Sequence, residues 1–312
     1  MQYLDFERAI KTVDDKLARL TNGEKALLDK SQLEVKRLTT KRARLIKAAY
    51  EKLSPWQKAQ VARHESRPHT QDYINTIFTD FELLSGDRVA GEDQAIVAGL
   101  AKLNGKTVMV IGQEKGFDIE SRIKHNFGMA RPEGYRKAIR LMHLAEQYGI
   151  PVITLVDTAG AFPGVEAEAH GQGEAIAACI ETSLNLKVPV ISCIIGEGGS
   201  GGALALASGN VVLMLENAIY SVISPEGCAS ILWKDFKYAQ KATDILHLTA
   251  ADMLKMGVVE EVIPEPIGGA HRYPKETMAA VAEVIEKHLA KLSTLSESEL
   301  VAARHKRFLS IC

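Results

Sequence analysis

The run Val188–Ala207, VPVISCIIGEGGSGGALALA, constrains the fold of this chain more than any other stretch. Val188–Ile195 is uncharged and rich in β-branched residues, the pattern of a strand buried on both faces. Five glycines follow: Gly196, Gly198, Gly199, Gly201 and Gly202. A helix of small residues is expected to restart from about Gly202. Glycine reaches backbone angles closed to other residues and lets a ligand approach the main chain. The first turn of a helix presents N–H groups with no acceptor inside the helix. Strand, glycines and helix together aim backbone donors at a negatively charged oxygen, and such a unit belongs in an α/β fold.

The flanking sequence extends that architecture in both directions. Asn104-Gly105 lies between the apolar runs of Ala95–Ile111 and predicts a β-hairpin. Residues 112–126 are polar and read as a loop able to close over a site. Pro132–Tyr148 is an amphipathic helix stopped by Gly149. Ile150–Val156 is a second buried strand, ending in Asp157-Thr-Ala-Gly-Ala-Phe-Pro-Gly164. A helix is expected over about 166–185, strands over Val211–Leu215 and Asn217–Ile223, and a helical tail from about Tyr238. This order predicts one α/β domain with a largely parallel sheet between about 80 and 265.

The N-terminal 66 residues differ. Leu17, Leu20, Leu27, Leu28, Leu33, Val35, Leu38, Leu45 and Ile46 recur at helical spacings, and Thr21-Asn-Gly23 divides two helices. Residues 1–64 hold 15 Lys+Arg against 8 Asp+Glu, although the whole chain of 312 residues has a net charge of −1. Such a basic arm suits phosphates, an acidic partner or plain solvation. It lacks the interleaved aromatics of a nucleic-acid surface, which argues against nucleic acid as the main ligand. No apolar run approaches the roughly 20 residues of a membrane helix, and Met1–Glu7 does not read as a secretion signal. Cys179, Cys193, Cys228 and Cys312 form no C-x-x-C pair, which argues against a zinc site or a disulfide framework. A cytoplasmic protein that binds no metal is expected.

The glycine segment also matches several short motifs. Gly196–Gly201 is a literal G-x-G-x-x-G with Glu216 about 20 residues on. The intervening helix, however, is shorter than the ~10–12 residues of a βαβ crossover. Gly198–Gly202 fits the G-x-S-x-G elbow around Ser200; Glu216 or Asp244 and His247 or His271 could complete it, as any long sequence allows, and Ser200 is read as a turn residue. Asp157-Thr-Ala-Gly160 fits a GTPase switch, but the only Gly-Lys-Thr, at Gly105–Thr107, has Leu100 where the phosphate loop needs its leading glycine. The nine histidines have no metal-ligand spacing. His143 is expected to be partly buried on its helix, and His170, near the glycines, to be structural. Two glycine turns, Gly160–Gly164 and Gly196–Gly202, end two buried strands at one sheet edge, where α/β folds bind ligands. With no obvious nucleophile or base beside them, their chemistry is oxyanion stabilisation; the bland alternative is tight strand–helix packing.

Four segments carry a more specific resemblance: Asn126–Arg136, Asp157–Gly164, Gly196–Ala203 and Ile219–Trp233. Together they resemble the α-subunit family of bacterial acetyl-CoA carboxylase carboxyltransferases, over nearly the whole chain. The resemblance implies a crotonase-like fold, a spiral of ββα units with an N-terminal helical extension. It divides the chain into a basic helical extension (1–66), a carboxyltransferase domain (67–295) and a helical tail (296–312). It implies an α2β2 assembly, with the four-cysteine zinc module carried by the β subunit. The implied reaction moves the carboxyl group of carboxybiotin, borne on a biotin carboxyl carrier protein and made by biotin carboxylase, to acetyl-CoA. The product is malonyl-CoA for fatty-acid biosynthesis. Freed biotin can itself take the acetyl proton, so no side-chain base is required.

Carried onto this chain, the resemblance makes the Gly201 and Gly202 amides the donors to the biotin carbonyl. Ala203 lies adjacent, Gly198 and Gly199 belong to the cofactor-binding segment, and Gly160 and Ala161 form the facing wall. One motif departs. The family commonly reads Gly-His-Gln-Lys-Gly-Arg-Asp where this chain has Gly112-Gln-Glu-Lys-Gly-Phe-Asp118, which puts any contact of that His or Arg in doubt at Gln113 and Phe117. The competing enzymatic reading is a partner-independent hydratase, isomerase or thioesterase of the same fold. It needs a carboxylate near the glycines, with Glu197 and Glu216 as candidates. A non-enzymatic scaffold with a basic docking arm is the third reading.

Overall fold

The computed structural model describes residues 2–21 and 29–311. Asn22, Gly23, Leu27 and Leu28, part of the expected helix break and apolar pattern, lie outside them. The helices on either side are α1 (Arg8–Thr21) and α2 (Asp29–Tyr50), which pack against each other. Next come α3 (Pro55–Ala62), α4 (Thr70–Ile77) and β1 (Thr79–Leu83). Ser54 caps α3 with Pro55 in its first turn, as the Ser-Pro pair predicts.

The hairpin is β2 (Ile96–Leu103) and β3 (Lys106–Gln113), antiparallel with Leu103 opposite Lys106. Asn104 and Gly105 both take positive φ, 47° and 77°, the two-residue turn that this dipeptide favours. After β3 the expected loop contains a short helix, α5 (Ile119–Lys124), capped by Asp118. α6 (Pro132–Gln147) leads to β4 (Val152–Thr158). The helix expected over 166–185 is divided into α7 (Val165–Ala169) and α8 (Gln172–Asn185) at Gly171, φ 82°. β5 (Val190–Gly199), α9 (Ser200–Leu204), β6 (Val211–Leu215) and β7 (Ile219–Ser221) follow. The remainder is α10 (Pro225–Trp233), α11 (Ala239–Leu246), α12 (Ala250–Lys255), β8 (Glu261–Ile263), α13 (Pro274–Leu292) and α14 (Glu297–Leu309).

One eight-stranded sheet runs β1-β2-β3-β4-β5-β6-β8, with β7 paired to β5. Every pairing from β3 to β8 is parallel, and only the β1–β2–β3 edge is antiparallel. This is an α/β crotonase-like fold with an N-terminal helical extension. Strands β1 and β8 went unmarked in the sequence because they are short, and neither has a continuous apolar run.

The strand of the opening stretch is longer than its apolar run. β5 continues through Gly196-Glu-Gly-Gly199, and α9 starts at Ser200, not at Gly202. The cause is lateral pairing. Ile191–Ile194 pair with β6, Glu197–Gly199 pair with β7, and Gly198 also faces Thr158 of β4. The sheet therefore carries the glycines into the site. Among the described residues, no helix is long and apolar enough to cross a membrane.

Candidate active site

β4 and β5 end at the same sheet edge, and the backbone beyond them is in direct contact. A Cβ on Gly199 would lie 2.2 Å from the Ala159 carbonyl oxygen. One on Gly202 would lie 2.6 Å from the Ala161 nitrogen and 3.0 Å from the Tyr135 hydroxyl. None of the five glycines takes a positive φ; Ser200 does, at 52°. Gly196, Gly198, Gly199 and Gly202 therefore serve to remove Cβ atoms, not to reach unusual angles. The two expected turns form one structure, Ala159–Ala161 against Gly199–Gly202. The Thr158 hydroxyl tightens it, donating to the Gly160 carbonyl (2.7 Å) and accepting from the Gly160 N–H (3.1 Å).

Gln113, fully buried at the end of β3, locks this structure to the sheet. Its Nε2 donates to the Gly202 carbonyl at 2.8 Å, and its Oε1 accepts the Asp157 N–H at 3.1 Å. The Thr70 hydroxyl holds the Gln113 carbonyl at 2.6 Å. The family departure at this position is thus a neutral amide joining β3, β4 and α9. At the second departure, Phe117 is 77% exposed.

An ionic cluster lies at the ends of β4 and β5. Lys115 Nζ is 2.7 Å from Asp157 Oδ1 and 3.5 Å from Glu197 Oε2. Arg63 Nη2 donates to Glu197 Oε1 at 2.6 Å and Arg63 Nη1 to Glu226 at 2.8 Å. His69 Nδ1 is 3.3 Å from Asp157 Oδ2, and Asp157 Oδ1 accepts the Glu197 N–H at 2.8 Å. Burial pushes the Asp157 carboxyl up, but the Lys115 ammonium and His69 outweigh it and hold it well below the usual carboxylate range. Glu197 is therefore paired twice. Glu216 is also engaged, its carboxylate accepting the Glu265 N–H at 3.1 Å. Neither is a free carboxylate at the glycines.

Beside Gly201 opens a cavity of about 320 Å³, lined by Ser200, Leu204, Tyr220, Val222 and Met253 among others. Its walls are mostly apolar, and Ser200 and Gly201 are among the residues that line it. That suits a bound group with an apolar body. Among the described residues no side chain hydrogen-bonds Ser200, so its strained strand-to-helix turn lacks the base a nucleophile needs. His170 pairs with Glu133 at 2.8 Å and sits at the surface. His143 is exposed rather than partly buried, because it falls on the outer face of α6.

Relatives decide the lineage. The sequence profile of the family described as acetyl co-enzyme A carboxylase carboxyltransferase-like matches residues 3–312. The acetyl-coenzyme A carboxylase carboxyl transferase subunit alpha of Paramagnetospirillum magneticum is 53% identical over 100% of this chain and 98% of its own length. The chain belongs to the acetyl-CoA carboxylase carboxyltransferase family. The Zymomonas mobilis subunit alpha is also 53% identical, over 100% of this chain and 99% of its own. A transcarboxylase 12S structure with methylmalonyl-coenzyme A and methylmalonic acid bound shares the fold at a TM-score of 0.60 and 20% identity. That match covers 73% of this chain and 42% of the transcarboxylase chain.

Within this carboxyltransferase chain, the structure brings Gly160, Ala161, Gly199 and Gly202 into contact. It leaves Gly201 facing the cavity, where an added Cβ would meet only Ile176 at 3.5 Å. Ala203 is buried beneath, and Gly198 lies in β5 against the Tyr220 ring. Sequence reasoning missed the Gln113 bridge, the Lys115–Asp157–Glu197 cluster and Tyr135 over Gly202. The only signal for Gln113 was its departure from the family motif; its partner Gly202 is 89 residues away.

Proposed function

We propose that this chain is the α half of a biotin-dependent carboxyltransferase that converts acetyl-CoA to malonyl-CoA, the committed step of fatty-acid biosynthesis. Its partners are a β subunit in an α2β2 assembly, the biotin carboxyl carrier protein and, upstream, biotin carboxylase. Carboxybiotin arrives as substrate on the carrier. It supplies the carboxyl group and a ureido oxygen on which negative charge grows as that group leaves. The Gly201 and Gly202 amides, with Ala203 next to them, meet that charge. Gly160 and Ala161 form the facing wall, and Gly198 and Gly199, at the end of β5, lead into the donor segment. The apolar cavity beside Gly201 excludes water from the ring. Backbone donors fixed in advance act where charge develops and need no reorganisation, which is why such donors contribute heavily.

The observation that carries this reading is the backbone contact between Ala159–Ala161 and Gly199–Gly202 beside an apolar cavity. A hydratase, isomerase or thioesterase needs a carboxylate poised there, and Glu197 and Glu216 are held by other groups. Reconstitution tests it. The purified chain is expected to form no malonyl-CoA from carboxybiotin and acetyl-CoA, and to form it once the β subunit is added. Full turnover by the isolated chain, or turnover of CoA esters without biotin, would overturn the proposal.

A further inference from the structure

We propose that Gln113 is a positioning residue for carboxyl transfer, acting through the Gly202–Ala203 peptide. The inference rests on the reading that the amides around Gly202 face the reacting carbonyl.

α9 is only five residues long, too short to hold its own geometry. Its hydrogen bonding is irregular: the Leu206 N–H goes to the Ala203 carbonyl at 3.0 Å. The Gly202 carbonyl instead accepts from the Gln113 side chain. A peptide group is planar, so fixing the Gly202 oxygen fixes the plane of the Gly202–Ala203 peptide and, through the shared Gly202 Cα, restrains the preceding backbone that carries the Gly201 and Gly202 N–H donors. Gln113 is itself held at three points. The Asp157 N–H orients its amide oxygen, the Thr70 hydroxyl binds its carbonyl, and β2 pairs with its backbone opposite Ile96. The side chain has no exposed surface in which to choose another rotamer.

The requirements on this residue are strict. It must accept from one backbone N–H and donate to one backbone carbonyl at once, without charge. An amide meets both needs and does not titrate. A carboxylate keeps the acceptor and loses the donor, placing two oxygens against each other at the Gly202 carbonyl. Protonation restores the donor.

The test uses the chain assembled with its β subunit, a biotinylated carrier and acetyl-CoA. Gln113→Glu keeps the volume of the side chain. Its kcat at pH 8 is expected to fall about ten- to a hundredfold, the scale of a small misplacement of catalytic groups. KM for acetyl-CoA stays within about twofold, because the inference places no substrate contact on Gln113. The activity of Gln113→Glu relative to wild type then rises as pH falls and the buried carboxyl protonates, a recovery that a merely structural defect does not give. Gln113→Met, neutral and of similar length, shows the loss without the recovery. It also serves if Gln113→Glu does not fold. Thermal unfolding of each variant checks the fold. A folded variant with kcat within twofold of wild type, or a relative pH profile for Gln113→Glu parallel to wild type, overturns the inference. Absence of carboxyl transfer in the wild-type assembly would instead remove the functional reading beneath it.

Discussion

Gly201 and Gly202 are neighbours with different reasons to be glycine. A methyl group on Gly202 would sit 2.6 Å from the Ala161 nitrogen, a backbone atom with no slack. On Gly201 it would meet the Ile176 side chain at 3.5 Å, an ordinary contact. Gly202→Ala is therefore expected to cost about 1–3 kcal/mol of stability by overpacking. It also separates the two backbone segments, with a turnover loss on the order of 10²–10³, the scale of one misaligned oxyanion donor. Gly201→Ala should change stability by less than about 1 kcal/mol. Any turnover it loses then reports on the cavity it faces. Melting curves measured beside turnover separate the two cases, and equal destabilisation at both positions would contradict the packing argument. Glycines were visible in the sequence, but not which of them touches backbone.

At the scale of elements, α14 illustrates how one side chain fixes a helix end. Arg304 is fully buried. Its guanidinium donates to the carbonyls of Ser183 (2.8 Å), Leu186 (2.7 Å) and Val188 (3.0 Å). Those carbonyls surround the C-terminal end of α8 and the entry to β5. A cation there satisfies carbonyls that α8 cannot pair and complements its dipole. Arg304→Ala would leave several buried acceptors without donors, and a cost of about 3–5 kcal/mol is expected from chemical denaturation. A loss below 1 kcal/mol would show that water replaces the guanidinium. The sequence leads one to expect a helical tail here. It does not reveal that the arginine points inward, because charge alone marks it as surface.

Across the whole molecule, the N-terminal segment is tied to the C-terminal part by a buried polar knot. His64 stacks on His271 with ring centroids 4.1 Å apart. Tyr50 donates to Glu7 at 2.7 Å, and Arg272 also pairs with Glu7. His64 Nδ1 accepts the Ser66 N–H at 3.0 Å, and its Nε2 lies 3.1 Å from the Gln2 carbonyl. Both ring nitrogens are thereby occupied, which leaves His64 no lone pair for a metal ion. Burial, followed by the neighbouring His271, lowers the His64 value from 6.5 to about 4. In the unfolded chain the ring takes up its proton first. Its contribution is complete above pH 6.5 and is lost as pH falls toward 4. Thermal stability is expected to decline across that window by on the order of 3 kcal/mol from this group. His64→Gln should flatten the decline. An unchanged slope in that variant would place the acid sensitivity elsewhere.

By itself, the sequence determined the kinds of elements and the chemistry available to them. The uncharged β-branched run made β5 a buried strand, Asn104-Gly105 made a hairpin turn, and the glycines announced close backbone approach. These are local signals, set by side-chain sterics within a few residues. Tertiary structure decided what the glycines approach, which carboxylates are already neutralised, and that Gln113 holds Gly202 across the sheet. It also carried β5 through Gly199, because β7 supplied a neighbouring strand where the apolar run had ended. Each of these depends on contacts between residues far apart in the chain, and local patterns hold no record of distant partners.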